Sequence, residues 1–547
     1  MRNALAGTTS PYLAMHADDP VAWQSWSPDT LARARTEGRL ILVSSGFFAC
    51  HWCHVLQQES FRDPAFAALL NAAFLPVKVD REAEPALDAE LRRAMQAISG
   101  RAGWPLNLVL TPEGDPLYGF VYAPRAELMA RLQRLRDLWQ AKPDRLRALA
   151  RSTSEELRPV PAPSSPMPPA EARQLLREAL LAAADPLAGG FGHGAKFPHA
   201  PRLLAALRLI EQQRDDALAG FLATTLEAMA QGGLRDPLGG GFFRYTIDPD
   251  WQLPHFEQML IDQALLARVY LRAGRLFGRP DLGAVGHDLI RVILRDFAHP
   301  SGGFVAAISA LDAKGVEGGG YLWDDAALTA VLDGPRLEAA RRWTWVGHET
   351  WGPGRLPLRP GGETADRQAI ALLTAARPRP VHPRDEQIPL AANGQLLVTL
   401  AEACQEGLAP ACAAAGELAR QLRRLPLQSI EELQAAVSLA AGLARWGEVQ
   451  GSEDDLARAL LRAAAQDFGG GHGWQLSRRP LPPWSGRTAE LADDEYPSAS
   501  AQWMELADVL GVEPVQSVGI GIEARRAPLQ HATALAWITT APPRQRE

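Results

Sequence analysis

Cys50 and Cys53 stand three positions apart, immediately downstream of the apolar run Ile41-Leu42-Val43, in a chain with only four cysteines. A Cys-x-x-Cys placed where a strand passes into a helix has a defined chemistry. The free N–H groups and positive dipole end of the helix stabilise a thiolate on the first cysteine. The second, one turn later, lies close enough to resolve a mixed disulfide. Cys50 is therefore the candidate nucleophile and Cys53 the resolving thiol. His51 and His54, when protonated, add positive charge that favours the thiolate, and Trp52 sits between the sulfurs as a reporter of their state. The plain alternative is a pair of reduced, packed cysteines. No metal is expected, because no second Cys-x-x-Cys completes a tetrahedral set with Cys50, His51, Cys53 and His54.

A second group of chemistry-bearing residues follows far downstream. His193, Lys196, His199, Arg244, Tyr245, His255, Glu257 and Asp262 surround two glycine-rich loops, together with Asp185 and Asp248. His255 and Glu257 have types suited to general acid–base work on a sugar. Most of the group also suits ordinary structure, with aspartates capping helices and Arg and His satisfying loop carbonyls. Cys404 and Cys412 lie in Ala/Leu-rich helical sequence and are expected to be small apolar core residues.

The elements that must position Cys50 alternate in type. A helix is expected over Pro28–Gly38, a strand over Arg39–Ser45, a helix over Cys53–Asn71 and a strand over Phe74–Asp80. A helix over Pro85–Ser99 precedes strands at Leu106–Thr111 and Pro116–Val121, and one or two helices span Arg125–Ala150. The order β-α-β-α-β-β-α is the thioredoxin topology. Trp104-Pro105 precedes the third strand, where that fold places a cis-proline beside the sulfurs. Position 44, where thioredoxins carry a buried acid, is serine.

A proline-rich stretch at 158–170 reads as a linker between a domain at 1–157 and one at 171–547. Beyond it, amphipathic helices are broken by similar loops beginning at Asp185, Asp236, Asp296 and Asp467, spaced by 51, 60 and 171 residues, the last about three times 57. Helical hairpins repeating at that interval suit a closed toroid of helix pairs. The fold class is thus multidomain, an N-terminal α/β thioredoxin-like fold followed by an all-α (α/α)6 toroid.

The net charge of −7 carries mixed signs, which argues against a nucleic-acid partner. Lysine occurs only at 78, 142, 196 and 314, a skew toward arginine that looks like codon bias and draws attention to Lys196 in its Gly/His-rich loop. No apolar run approaches the ~18–20 residues of a membrane span, and the opening residues lack a continuous apolar stretch. The expectation is a cytoplasmic protein that does not associate with membranes and needs no cofactor.

With both halves read, the chain resembles the thioredoxin-domain proteins of the spermatogenesis-associated protein 20 type. The matching residues are Thr9 to Leu13, Trp23 and Trp26, Ala49-Cys50-His51-Trp52-Cys53-His54-Val55, Glu59 to Phe61, Val77 to Glu82 and Gly103 to Leu106. Downstream the match continues through Lys196 to His199, Gly239 to Phe242, Arg244-Tyr245 and Pro254 to Glu257. The resemblance implies a thioredoxin-like domain and a six-hairpin barrel similar to those of N-acylglucosamine 2-epimerases and some glycosidases. It assigns no substrate. An acidic pair usual in the family is Ile308-Ser309 here, a histidine is Phe243, Trp-Asn-Gly is Ala392-Asn393-Gly394, and Pro-Ser-Gly-Asn is Pro497-Ser498-Ala499-Ser500. Three readings follow: a thiol-disulfide oxidoreductase or redox sensor with a thiol or disulfide protein client, a carbohydrate-binding or epimerase-like barrel with a small-molecule ligand, or a non-catalytic interaction protein.

Overall fold

The run Leu40 to Val43 is apolar at every position, the pattern of a strand buried on both faces, and β1 (Leu40–Gly46) is buried throughout. The structure is a computed structural model. It describes every residue except 1, 160–166, 344–347, 349–350, 352–356, 359–365, 378–379, 453, 471–472, 489–490, 514–521 and 541–547. The expected linker at 158–170 lies mostly outside the described residues.

The chain forms two compact units. In the first, α1 (Pro11–Met15) and α2 (Pro28–Glu37) lead into β1, followed by α3 (His51–Leu56) and α4 (Pro64–Ala73). Then come β2 (Phe74–Asp80), α5 (Pro85–Ser99), β3 (Leu106–Leu110), β4 (Pro116–Phe120), α6 (Arg125–Ala141) and α7 (Pro143–Leu157). The sheet order is β2-β1-β3-β4, with β1 parallel to β2 and antiparallel to β3. One face packs Ile41, Val43 and Val77 against Leu91 and Met95 of α5. The other packs Leu42 and Val109 against Leu56, Phe66 and Leu128. This is the thioredoxin-like arrangement.

The single helix expected over Cys53–Asn71 is broken. A π-helical turn, Gln57–Phe61, follows α3, and the chain restarts at Asp63-Pro64, where the Asp63 carboxylate accepts from Phe66 N at 2.8 Å. Proline lacks the N–H that a continuing helix needs but suits the first turn of a new one. Two short segments assigned to the helical domain from sequence, Asp385–Gln387 and Gln475–Thr488, join the first unit instead. Trp484 is buried in its core, and Trp26 Nε1 donates to the Pro480 carbonyl at 3.0 Å.

The second unit contains α8 (Pro169–Ala183), α9 (Ala200–Gln212), α10 (Asp216–Gln231), α11 (Leu260–Leu276) and α12 (Pro280–Val292). After α13 (Asp325–Val331), α14 (Gly334–Arg341) and α15 (Arg367–Ala376) come α16 (Leu390–Gln405), α17 (Ala409–Leu422), α18 (Leu433–Gln450) and α19 (Asp455–Asp467). The unit ends with α20 (Ala499–Leu510), α21 (Ile522–Arg526) and α22 (Ala532–Ile538). Helices α9, α11, α16, α18, α20 and α22 each touch the next, and α22 returns to α9. The inner ring therefore closes, with α8, α10, α12, α17, α19 and α21 alternating along the chain with its members. α11, α16 and α18 are buried almost all round, as inner helices must be. This is an (α/α)6 toroid.

The first two of the repeated loops fold alike. Asp185 N donates to Gly190 O at 2.9 Å, and Asp236 N donates to Gly241 O at 2.8 Å. Each loop aspartate also meets a buried cation, Lys196 for the first and Arg377 for the second.

The reading of Cys404 and Cys412 as separate core residues is corrected. They form a disulfide across the turn joining α16 to α17, with Cα atoms 4.7 Å apart. A tight helical hairpin sets the last turn of one helix against the first turn of the next, which brings residues 404 and 412 face to face. Alkylation of the unfolded chain without reductant should leave these two thiols unmodified; modification of both would contradict the bridge.

Two inner helices meet at small residues. A Cβ on Gly394 of α16 would lie 2.7 Å from Leu439 N of α18, and one on Gly442 would lie 2.6 Å from Gly394 O. Gly394→Ala should therefore lower stability by about 1–3 kcal/mol, the usual cost of overpacking, read from the midpoint of urea unfolding. An unchanged midpoint would contradict this contact.

Candidate active site

Cys50 is the N-cap of α3: its Sγ accepts from Cys53 N at 3.3 Å, and the two sulfurs lie 2.6 Å apart. Both thiols are buried. The Trp104–Pro105 peptide, whose isomer the sequence leaves open, is cis, and Trp104 Nε1 donates to Asp88 Oδ1 at 3.0 Å. The same carboxylate oxygen accepts from Ser45 Oγ at 2.6 Å, which ties the end of β1 to the turn carrying Pro105. Trp52 is half-buried and packs on Tyr122, whose hydroxyl donates to Glu59 at 2.8 Å.

His54 differs from expectation. His54 Nε2 lies 2.8 Å from the Phe48 carbonyl oxygen, and burial lowers its pKa from the ordinary imidazole value. A neutral His54 adds no positive charge near Cys50 at pH 7. His51 is half-buried with its ring edge-on to Trp52.

The positive group beneath the thiols is a lysine. Register places Ser44 of β1 between Lys78 of β2 and Asn107 of β3. Lys78 is 2% exposed, and its Nζ donates to Ser44 Oγ at 3.0 Å. The ammonium also faces the rings of Tyr12, Trp23 and Phe61 at 5.1, 4.9 and 4.6 Å. Burial pushes the Lys78 pKa down to about 8, against the opposing influence of Cys53 and Asp19. Tyr12 is wholly buried, and its phenol oxygen has no nitrogen or oxygen partner among the described residues. A Cβ on Gly46 would collide with this oxygen and lie 2.7 Å from Cys53 Sγ, so only glycine lets the phenol and the thiol approach at this point. The sequence does not reveal Tyr12 as part of the site; for Lys78 the available signal is the rarity of lysine, which draws attention to Lys196 instead.

Nearby, two carboxyl groups share one amide. Gln387 Nε2 donates to Asp80 Oδ2 at 2.8 Å and to Asp385 Oδ1 at 3.1 Å, while Ser10 Oγ donates to Asp80 at 2.5 Å. Burial, then the charges of Asp80 and Glu82, push Asp385 up to about 7.

In the toroid, the residues grouped around the two glycine-rich loops divide. Lys196 is fully buried and donates to Asp185 Oδ2, Gly189 O and Gly192 O at 2.8, 2.9 and 2.7 Å. All three of its protons are engaged, so it pins the first loop instead of lining a pocket. His193 points outward with a side chain 81% exposed. His199 packs among Phe191 and Phe197, and burial lowers its pKa to about 3. Arg244, Glu257 and Asp262 do converge. Arg244 lies 3.9 Å from Glu257 and 3.7 Å from Asp262, and it also pairs with Glu495, which sequence reasoning missed. His255 Nδ1 bonds Glu317 Oε1 at 2.6 Å; burial opposes protonation, but the Glu317 bond prevails and raises the pKa. Tyr245 stacks on Phe197 and leans against His255, its cross-strand partner. Among the described residues no group of three or more His, Cys, Asp or Glu is arranged to hold a metal. No helix among them is long and apolar enough to cross a membrane.

Fold and site thus define a thioredoxin-like unit with a Cys-x-x-Cys at its first strand-to-helix junction, joined to an (α/α)6 barrel. Residues 2–158 match the family model Thioredox_DsbH, described as a protein of unknown function, DUF255. The resemblance read in the motifs is shown by the curated relatives. The chain is 34% identical to human spermatogenesis-associated protein 20 over 366 residues, 62% of this chain and 46% of that protein. It is 35% identical to the mouse protein of the same name over 371 residues, again 62% of this chain and 46% of the relative. The chain therefore spans about half the length of these relatives. Among solved structures, a sugar epimerase from a ruminal bacterium is similar at a TM-score of 0.41 and 11% identity, over 68% of this chain and 85% of that one. A DsbH oxidoreductase is similar at a TM-score of 0.19 and 17% identity, over 22% and 85%.

The raised Asp385 carboxyl gives a pH prediction with a definite sign. A carboxyl favoured in its protonated form by the fold contributes stability fully below its unfolded value of ~4, and that contribution is lost as pH rises through the folded value. Asp385→Asn should therefore raise Tm at pH 8 and leave it nearly unchanged at pH 4. A lower Tm at pH 8 would contradict the assignment.

Proposed function

We propose that the N-terminal unit is a thiol-disulfide oxidoreductase or redox sensor in which Cys50 attacks and Cys53 resolves. The observation that carries this reading is Cys50 as the N-cap of α3, its sulfur accepting from Cys53 N and lying 2.6 Å from the Cys53 sulfur. Helix-end N–H groups and the nearby Lys78 ammonium both favour a thiolate over a thiol. In the reducing direction, Cys50 thiolate attacks a client disulfide and one client sulfur leaves as a thiolate that takes up a proton. Cys53 then attacks Cys50 Sγ, releases the second client thiolate and leaves an intramolecular disulfide. Two electrons pass from the protein dithiol to the client. As a test, Cys53→Ser should accumulate mixed disulfides through Cys50, and Cys50→Ser should accumulate far fewer. Equal capture by the two variants would refute the assigned roles.

A second reading is favoured by one arrangement in the barrel. Arg244 among Glu257, Asp262 and Glu495, beside the His255–Glu317 pair and the Tyr245 ring, offers the charged and aromatic groups that hold a small polar ligand such as a sugar. Binding should appear as a rise in Tm of the full chain with one member of a mono- and disaccharide panel, abolished in Arg244→Met. No shift with any member would count against it. The Cys404–Cys412 bridge is a feature of oxidising compartments more than of the cytoplasm, so the cellular location is best decided by trapping the thiols in intact cells.

A further inference from the structure

The ammonium of Lys78 is buried, and among the described residues it has a single hydrogen-bond acceptor, the hydroxyl of Ser44, and no carboxylate bonded to it. Three aromatic faces surround it. Such a charge is unfavourable unless a neighbour supplies the opposite sign, and the cysteine pair is a neighbour able to gain and lose a negative charge during turnover. Tyr12 stands next to both. Its ring lies under the ammonium, while its hydroxyl and the Cys53 sulfur converge on the space that Gly46 leaves open. The other titratable groups facing this assembly are His16, Asp19, Asp80 and Cys50. His16 Nδ1 and Trp23 Nε1 both reach Asp19 Oδ2, at 2.6 and 3.1 Å, and Gln57 donates to Asp19 Oδ1 at 2.9 Å. Asp80 is held by Ser10 and Gln387. These bonds engage both acids, and burial lowers the His16 pKa to about 3, which leaves it neutral.

We propose that Lys78 and Tyr12 form a buried proton-handling pair for the resolving thiol of Cys53, taking the place of a carboxylate at position 44. This rests on the redox reading of Cys50 and Cys53. Lys78 is an ammonium at rest and populates its neutral amine as pH approaches about 8; when a client is joined to Cys50, that neutral form takes the Cys53 S–H proton, with the Tyr12 hydroxyl donating to the thiolate that forms. The Cys53 sulfur then bonds to Cys50 Sγ, the Cys50–client bond breaks, and the client thiolate leaves and takes a proton from water. Lys78 returns its proton to Cys53 when the disulfide is next reduced. Burial, which brings the lysine down to about 8, places it near the range where such exchange is effective.

The test uses the full chain with glutathione as the mixed-disulfide partner on Cys50, and follows glutathione release by quenched-flow alkylation and mass measurement between pH 6 and 9. Lys78→Met should slow release at pH 7 at least tenfold more than it slows the first attack of Cys50 on oxidised glutathione, and should shift the pH profile of release upward. Tyr12→Phe removes one oxygen in the same volume and should slow release in the same sense by a smaller factor; it serves as the second variant should Lys78→Met not fold. Wild-type release rates and pH profile in a folded variant of either kind would overturn the proposal while leaving the redox function intact. Failure of the wild-type protein to form any Cys50–Cys53 disulfide would instead overturn the redox reading, and this proposal with it.

Discussion

Removing an ammonium from water costs several kcal/mol unless geometry compensates, and β2 carries Lys78 into the layer between its sheet and α1. Three features make that burial tolerable: the hydroxyl of Ser44 at the opposing register position, a cage of aromatic faces, and the thiols beyond Tyr12. The rest of the first unit follows from this requirement. Position 44 must carry a small acceptor, Gly46 must lack a side chain, and the N-terminal arm must return so that Tyr12, His16 and Asp19 close the space. The arm Thr9 to Leu13 is thus a wall of the site.

The same economy of charge recurs in the toroid. Asp185 and Asp236 bend their loops through backbone N–H groups, and each is neutralised by a buried cation, Lys196 from the same loop and Arg377 from elsewhere in the unit. Residues that suggested a pocket by type alone are thereby divided. Those with every proton engaged hold the loops, whereas Arg244, set among three carboxylates, stays near groups able to meet a ligand.

Much of the fold was legible because it rests on local periodicity. The uniform run Leu40 to Val43, the alternation of strand and helix, Trp104-Pro105 and the spaced glycine-rich loops all carry short-range signals, and they led to the thioredoxin-like unit and the (α/α)6 toroid. What escaped depends on register and on chain return. Nothing near Tyr12 indicates that it will meet Cys53, and Lys78 acquires meaning only when β2 pairs with β1 so that it faces Ser44. Glu495 reaches Arg244 from 251 residues away, and Asp385–Gln387 joins the first unit from beyond α15. Lys196 misled in the opposite direction: its rarity was real, but its environment is a closed set of oxygens. Cys404 and Cys412 escaped because composition says what a helix is made of, and not which turns of two helices will meet.

The central claim is that Cys50 and Cys53 are a reversible dithiol. Equilibrating the purified chain with defined ratios of reduced and oxidised glutathione, then alkylating and weighing it, tests this most directly, with Trp52 fluorescence as a second reporter. A Cys50–Cys53 disulfide forming and breaking reversibly between ~−270 and ~−120 mV, the span of known thioredoxin-fold enzymes, is the predicted result. Two thiols that stay reduced across that whole range would contradict it, and would make the pair part of the packing.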